Sequence, residues 1–101
     1  MKKYTKLVRD KIPEIIEARG EKYSIYIADD QEYGQKLKDK LQEEVSEFFE
    51  QDDVSELADI LEVIYAIAEY NKISIVDLEN IREEKALKRG SFKKEIILKE
   101  A

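Results

Sequence analysis

Apolar residues recur at helical spacing through three long stretches of the chain. Leu37, Leu41, Val45 and Phe48 form one stripe, which predicts a helix of about 20 residues from Asp30 or Gln31 to about Gln51. Asp29, with Glu32 three residues on, resembles a capping box and marks its start. Asp52-Asp53 leaves room only for a sharp connection, so the next helix, Val54 to about Tyr70, runs antiparallel to the first, with Asp53 as its cap. This second helix is apolar over most of its circumference, through Leu57, Ile60, Leu61, Val63, Ile64 and Ile67. A helix of that kind is expected to be covered on nearly all sides. Asn71-Lys72 ends it, Ser74 caps a third helix, and Gly90 stops that one, giving Ile75 to about Arg89. Leu78 and Ile81 begin the buried face of the third helix. The same face continues through Lys85 and Lys88, so it turns from apolar to cationic along its length.

Upstream, Lys6 to Ile12 form a short basic segment in which Leu7, Val8 and Ile12 serve as anchors to a core. Pro13 suits the first turn of a helix and Gly20 its end, predicting a short helix over 13–19. Tyr23 to Ile27 is β-branched and aromatic and reads as a strand; the comparable stretch is Glu95 to Leu98. The expected fold is therefore mainly α: an antiparallel helical bundle, with a small two-stranded β-ribbon formed by N- and C-terminal segments. It occupies a single domain, 1–101, because 101 residues suffice for one core and little more.

Composition narrows the chemistry. With 43% hydrophobic residues the chain is no disordered acidic tail, despite 42% charged residues and a net charge of −6. The acidic balance disfavours a nucleic-acid polymer as partner, while a local basic cluster still suits a small phosphorylated ligand. The absence of cysteine and histidine removes thiol and imidazole chemistry and the usual zinc ligands. No stretch approaches the roughly 20 apolar residues of a membrane span, and no apolar run follows the charged N-terminus. A soluble cytoplasmic protein is expected.

The acids between Glu43 and Glu62 are the feature to explain. Glu44 and Glu47 form one i, i+3 pair and Glu56 and Asp59 the next, each projecting two carboxylates in nearly the same direction. On the helical wheel Glu44 falls at the edge of its stripe, Glu47 further round the same side, and Glu43 on the opposite, solvated face. Glu56 falls between Val63 and Ile67, and Asp59 between Ala66 and Tyr70, within or beside a surface that should be packed. An ionised carboxylate there costs several kcal/mol unless paired, hydrogen-bonded or bound to metal. Four convergent carboxylates make a hard, all-oxygen site suited to Mg²⁺ or Mn²⁺. The stretch from Lys85 to Lys94 is the most basic in the chain, and a basic helix end turned toward the same interior would hold phosphates. Together these are the parts of phosphate-ester or phosphoanhydride hydrolysis.

Plainer explanations stand beside most of these residues. Helical Glu-x-x-Glu pairs are mostly solvated faces. Asp53-x-x-Glu56 fits a capping box, and Lys85 and Lys88 favour the dipole at a helix C-terminus. Asp59 has no such explanation, since it lies mid-turn on the most apolar helix.

The same residues resemble a known family. Leu41-Gln42-Glu43-Glu44-Val45-Ser46-Glu47 followed by Glu56-Leu57-Ala58-Asp59-Ile60-Leu61-Glu62 is similar to the ExxE…ExxD signature of the MazG-like, all-α nucleoside triphosphate pyrophosphohydrolases. Lys6 to Pro13 and Lys88 to Phe92 resemble the small phosphoribosyl-ATP-pyrophosphohydrolase-like branch of that superfamily. The resemblance implies Mg²⁺-dependent hydrolysis of a nucleoside triphosphate, or a phosphoribosyl-ATP-like nucleotide, between its α- and β-phosphates, with Mn²⁺ as a substitute. The products would be the monophosphate and pyrophosphate. It implies Glu44, Glu47, Glu56 and Asp59 as catalytic metal ligands, one of them helping to activate water. Lys85, Lys88, Arg89, Arg9 and Lys11 would hold phosphates. It further implies a homodimer or homotetramer, and a helix apolar nearly all round points the same way. The chain departs from the family pattern in the short connection between the two acid pairs. The competing expectations are a non-catalytic helical oligomer that binds a nucleotide or protein partner as a regulator, and a structural assembly module whose acids are surface groups.

Overall fold

The computed structural model describes residues 4–101, so the first three residues of the basic N-terminal segment lie outside the described residues. Four helices follow in order: α1 Ile12–Ala18, α2 Asp30–Gln51, α3 Val54–Tyr70 and α4 Ile75–Arg89. Their starts follow the capping side chains. Asp29 Oδ1 accepts the Glu32 N–H at 2.8 Å, Asp53 Oδ1 the Ser55 N–H at 2.9 Å, and Ser74 Oγ the Asp77 N–H at 3.0 Å. Each bond satisfies a donor that the first turn leaves without a helical partner. Asp52 closes α2 in the left-handed region, with φ 51° and its N–H on the Phe48 carbonyl at 2.8 Å. The chain therefore reverses within two residues, and α3 returns along α2.

Among the described residues there is no strand, and the expected ribbon does not form. Residues 23–27 and 95–98 are exposed coil, and no backbone hydrogen bond joins them. β-branched and aromatic content expresses a preference for a half-buried pleated surface, and neither segment has one to lie on. Tyr26 is used differently: its hydroxyl donates to Glu32 Oε2 at 2.6 Å. That bond holds the tyrosine's ionisation above its ordinary range and engages the carboxylate that the second half of a capping box requires.

The core lies between α2 and α3, where Leu37, Val63 and Ala68 are buried. α4 rests on α3 alone, and much more lightly than α2 does. The radius of gyration is 17.7 Å, against about 13 Å for a compact chain of this length. Much apolar surface stays open. Leu57 and Leu61, one turn apart on α3, are 47% and 45% exposed, and Val76, Leu87, Phe92 and Ile97 are more so. The expectation that α3 is covered on nearly all sides is thus not met within one chain, because α1 and α4 leave that face bare. No described helix is long and apolar enough to cross a membrane.

Aromatic contacts lock the end of the α2–α3 pair away from its connection. Tyr70 Oη donates to the Asp30 carbonyl at 3.0 Å, and the Tyr33 and Tyr70 rings meet edge to face at 5.7 Å. The Tyr70 ring lies on the backbone of Gly34, where a Cβ would come within 2.6 Å of its Cζ. Overlap of this kind costs about 1–3 kcal/mol, against the roughly 1 kcal/mol by which alanine favours a helix over glycine. Gly34→Ala is therefore expected to lower the urea midpoint, whereas in a Tyr70→Leu background the same change is expected to raise it.

Candidate metal centre

The two-residue connection sets the last turns of α2 beside the first turns of α3, which brings the acid pairs together. Glu44 and Glu56 are only 7% and 9% exposed, and Asp59 is half-buried. Each of the three places a carboxylate oxygen within 4.8 Å of the other two. Glu47 is not one of this trio, yet it is the foremost of the charges acting on Glu56. Glu43, expected on a solvated face, is instead half-buried between Lys6 at 3.8 Å and Lys40 at 3.4 Å.

Two cations reach the trio. Lys40 Nζ lies 3.2 Å from Glu44 Oε1, and Arg9 Nη2 donates to Asp59 Oδ1 at 2.7 Å. The other oxygens of the two buried acids, Glu44 Oε2 and Glu56 Oε2, have no hydrogen-bond partner. Buried polar atoms are nearly always paired, so two orphaned carboxylate oxygens beside a third carboxylate form a donor set for a hard cation. Neighbouring ligands on octahedral Mg²⁺, with bonds of roughly 2.1 Å, stand about 3.0 Å apart and opposite ones about 4.2 Å. Donors within 4.8 Å of one another would have to draw together to share such an ion. An all-oxygen set without nitrogen or sulfur fits Mg²⁺ or Mn²⁺. The capping-box explanation of Glu56 does not account for this placement: Asp53 caps through the Ser55 N–H, and Glu56 keeps an unpartnered oxygen.

Burial pushes the Glu56 carboxyl above its ordinary value of 4.5, and the charges of Glu47, Asp59 and Glu44 push it further. A carboxyl raised in the folded state binds its proton more tightly there than in the unfolded chain. Its stabilising contribution is complete below the ordinary value and is lost as pH rises through the raised one. In EDTA, the wild-type melting temperature is expected to fall relative to that of Glu56→Gln as pH rises from 4.5. Parallel melting curves for the two proteins across that interval would contradict the shift.

Of the residues expected to hold phosphate, Arg9 reaches the centre. Lys11, Lys85, Lys88 and Arg89 are exposed, and Lys88 pairs with Glu84 at 3.1 Å one turn earlier on α4. Among the described residues, the ion pairs to the trio come from Arg9 and Lys40, and none comes from α4. Lys40 is a residue that the sequence reading missed, although its i, i+4 spacing to Glu44 is a legible signal. Compared with known protein families, with curated proteins and with solved structures, the chain matches none of them.

Proposed function

We propose that the chain is a cytoplasmic, Mg²⁺-dependent nucleotide pyrophosphohydrolase with a MazG-like helical bundle. It cleaves a nucleoside triphosphate, or a phosphoribosyl-ATP-like nucleotide, between the α- and β-phosphates. One observation carries the reading: Glu44 and Glu56 bury unpartnered carboxylate oxygens in the same cluster as Asp59. The likeness of these acids and of Glu47 to the ExxE…ExxD signature supports it.

When bound, Mg²⁺ supplies positive charge for the phosphate oxygens and lowers the pKa of a water beside them. Glu44, Glu56 and Asp59 would hold the ion. Lys40 fixes Glu44 through Oε1 and leaves Oε2 free. Glu47 adjoins Glu56 outside the trio, and a carboxylate so placed would accept a proton from the attacking water. Arg9 and Lys11 ahead of α1, with Lys85, Lys88 and Arg89 on α4, bind phosphate and offset the charge that builds on the phosphoryl oxygens. A second copy of the chain covers Leu57 and Leu61, giving a homodimer or, by repetition, a homotetramer; the open apolar face of α3 supports this.

The test is pyrophosphate release from a panel of nucleoside triphosphates with and without Mg²⁺. Release with equimolar monophosphate from at least one nucleotide, only when Mg²⁺ is present, is the expected result. No release from any of them contradicts the reading. A second reading, a non-catalytic oligomer that binds a nucleotide or protein partner as a regulator, is favoured by one observation: among the described residues, no α4 cation pairs with Glu44, Glu56 or Asp59. It calls for tight nucleotide binding without turnover, unchanged by Asp59→Asn.

A further inference from the structure

We propose that Arg9 is a built-in counter-cation of the metal centre: it holds Asp59 until a divalent ion takes that carboxylate, and its freed guanidinium then grips substrate phosphate. This exchange rests on the metal-centre reading above and adds an order of events to it. Arg9 is the one ion-pair partner of Asp59 among the described residues, and the pair is a short, charge-assisted hydrogen bond of 2.7 Å. Glu44 and Glu56 keep buried, unpartnered oxygens in the same cluster, so the guanidinium satisfies only the outermost acid.

The segment carrying Arg9 is fixed while its tip is free. Lys36 Nζ donates to the Thr5 carbonyl, Lys6 pairs with Glu43 at 3.8 Å, and Leu7 and Val8 are half-buried. The Arg9 carbonyl accepts the Ile12 N–H at 3.1 Å as the chain turns into α1. Beyond that backbone, the Arg9 side chain is 55% exposed and can swing without disturbing the fold. An ion pair this open is weak, and a divalent ion brings twice its charge to Asp59 and also reaches the two inner acids. A released guanidinium stays tethered beside the centre, and its planar fork matches two oxygens of a phosphate.

Mn²⁺ affinity is the direct readout, measured on the full chain without nucleotide from the electron paramagnetic resonance signal of free Mn²⁺. Arg9→Gln removes the competitor and is expected to bind Mn²⁺ about two- to fivefold more tightly than wild type. Arg9→Lys keeps the charge and is expected to stay near wild type. In turnover, Arg9→Gln is expected to raise KM for the nucleotide by about tenfold or more, with kcat moving less. Arg9→Lys restores only part of that loss, because it lacks the fork. If Arg9→Gln binds Mn²⁺ no more tightly than wild type, the exchange is wrong and the metal centre stands. If neither protein binds Mn²⁺, both fall.

Discussion

Asp59→Asn is expected to lower Mg²⁺-dependent pyrophosphate release about a thousandfold while leaving the metal-free fold intact. The Asp59 side chain is 38% exposed, so the isosteric amide disturbs little packing. What it removes is one of the three anionic donors proposed to hold Mg²⁺, and with it much of the expected hold on the ion. Charge stabilisation by a bound metal in phosphoryl transfer amounts to several kcal/mol, and a loss of about 4 kcal/mol is roughly a thousandfold in rate. A metal that binds only the native state is expected to raise the wild-type melting temperature, and the same variant is expected to lose that rise. Both effects are read from one preparation, by a pyrophosphate assay at a Mg²⁺ concentration that half-saturates the wild type and by circular dichroism melts with and without the ion. A variant that keeps activity within tenfold of wild type would place Asp59 outside the chemistry.

If a second copy covers α3 as proposed, Leu57→Lys combined with Leu61→Lys is expected to give monomers. The two leucines sit one turn apart on α3 and are each about half exposed in the single chain. Full burial of a leucine is favourable by about 1.5–3 kcal/mol, so covering the exposed half contributes on the order of 1 kcal/mol. Four such side chains across a two-fold interface amount to about 4 kcal/mol, or roughly a thousandfold in Kd, before the cost of burying lysine is added. Sedimentation velocity decides the matter: a dimer or larger species for wild type, a monomer for the double variant. A wild type that sediments as a monomer across micromolar concentrations would remove the assembly from the proposal.

Helix limits were the most legible part of the fold because their signals are local. Asp29, Asp53 and Ser74 each cap the helix that their side chains suggest, and α3 and α4 begin and end where the pattern puts them. Pairing was illegible for the opposite reason. Residues 23–27 and 95–98 carry a strand composition, but a strand exists only against a neighbour, and composition does not say whether one is in reach. The burial of α3 within a single chain is not legible, because periodicity shows that a face is apolar without showing what covers it.

The candidate site divides along the same line. Glu44, Glu56 and Asp59 meet because i, i+3 spacing sets each pair on one face and the short connection at Asp52-Asp53 sets the faces together, both readable from the chain. Lys40 was readable too, one turn before Glu44. The contact between Arg9 and Asp59 spans 50 positions and depends on how the segment ahead of α1 lies over α2 and α3. No spacing rule carries that information. The cationic end of α4 shows the limit from the other side: Lys85 and Lys88 continue an apolar face on the wheel, yet both are exposed, as is Arg89.

Crystals of the full chain soaked in Mn²⁺ and measured at its absorption edge would locate the ion directly. A single strong anomalous peak within bonding distance of Glu44, Glu56 and Asp59 is the expected result. Anomalous density found only elsewhere, or none at saturating Mn²⁺, would contradict the existence of the metal centre.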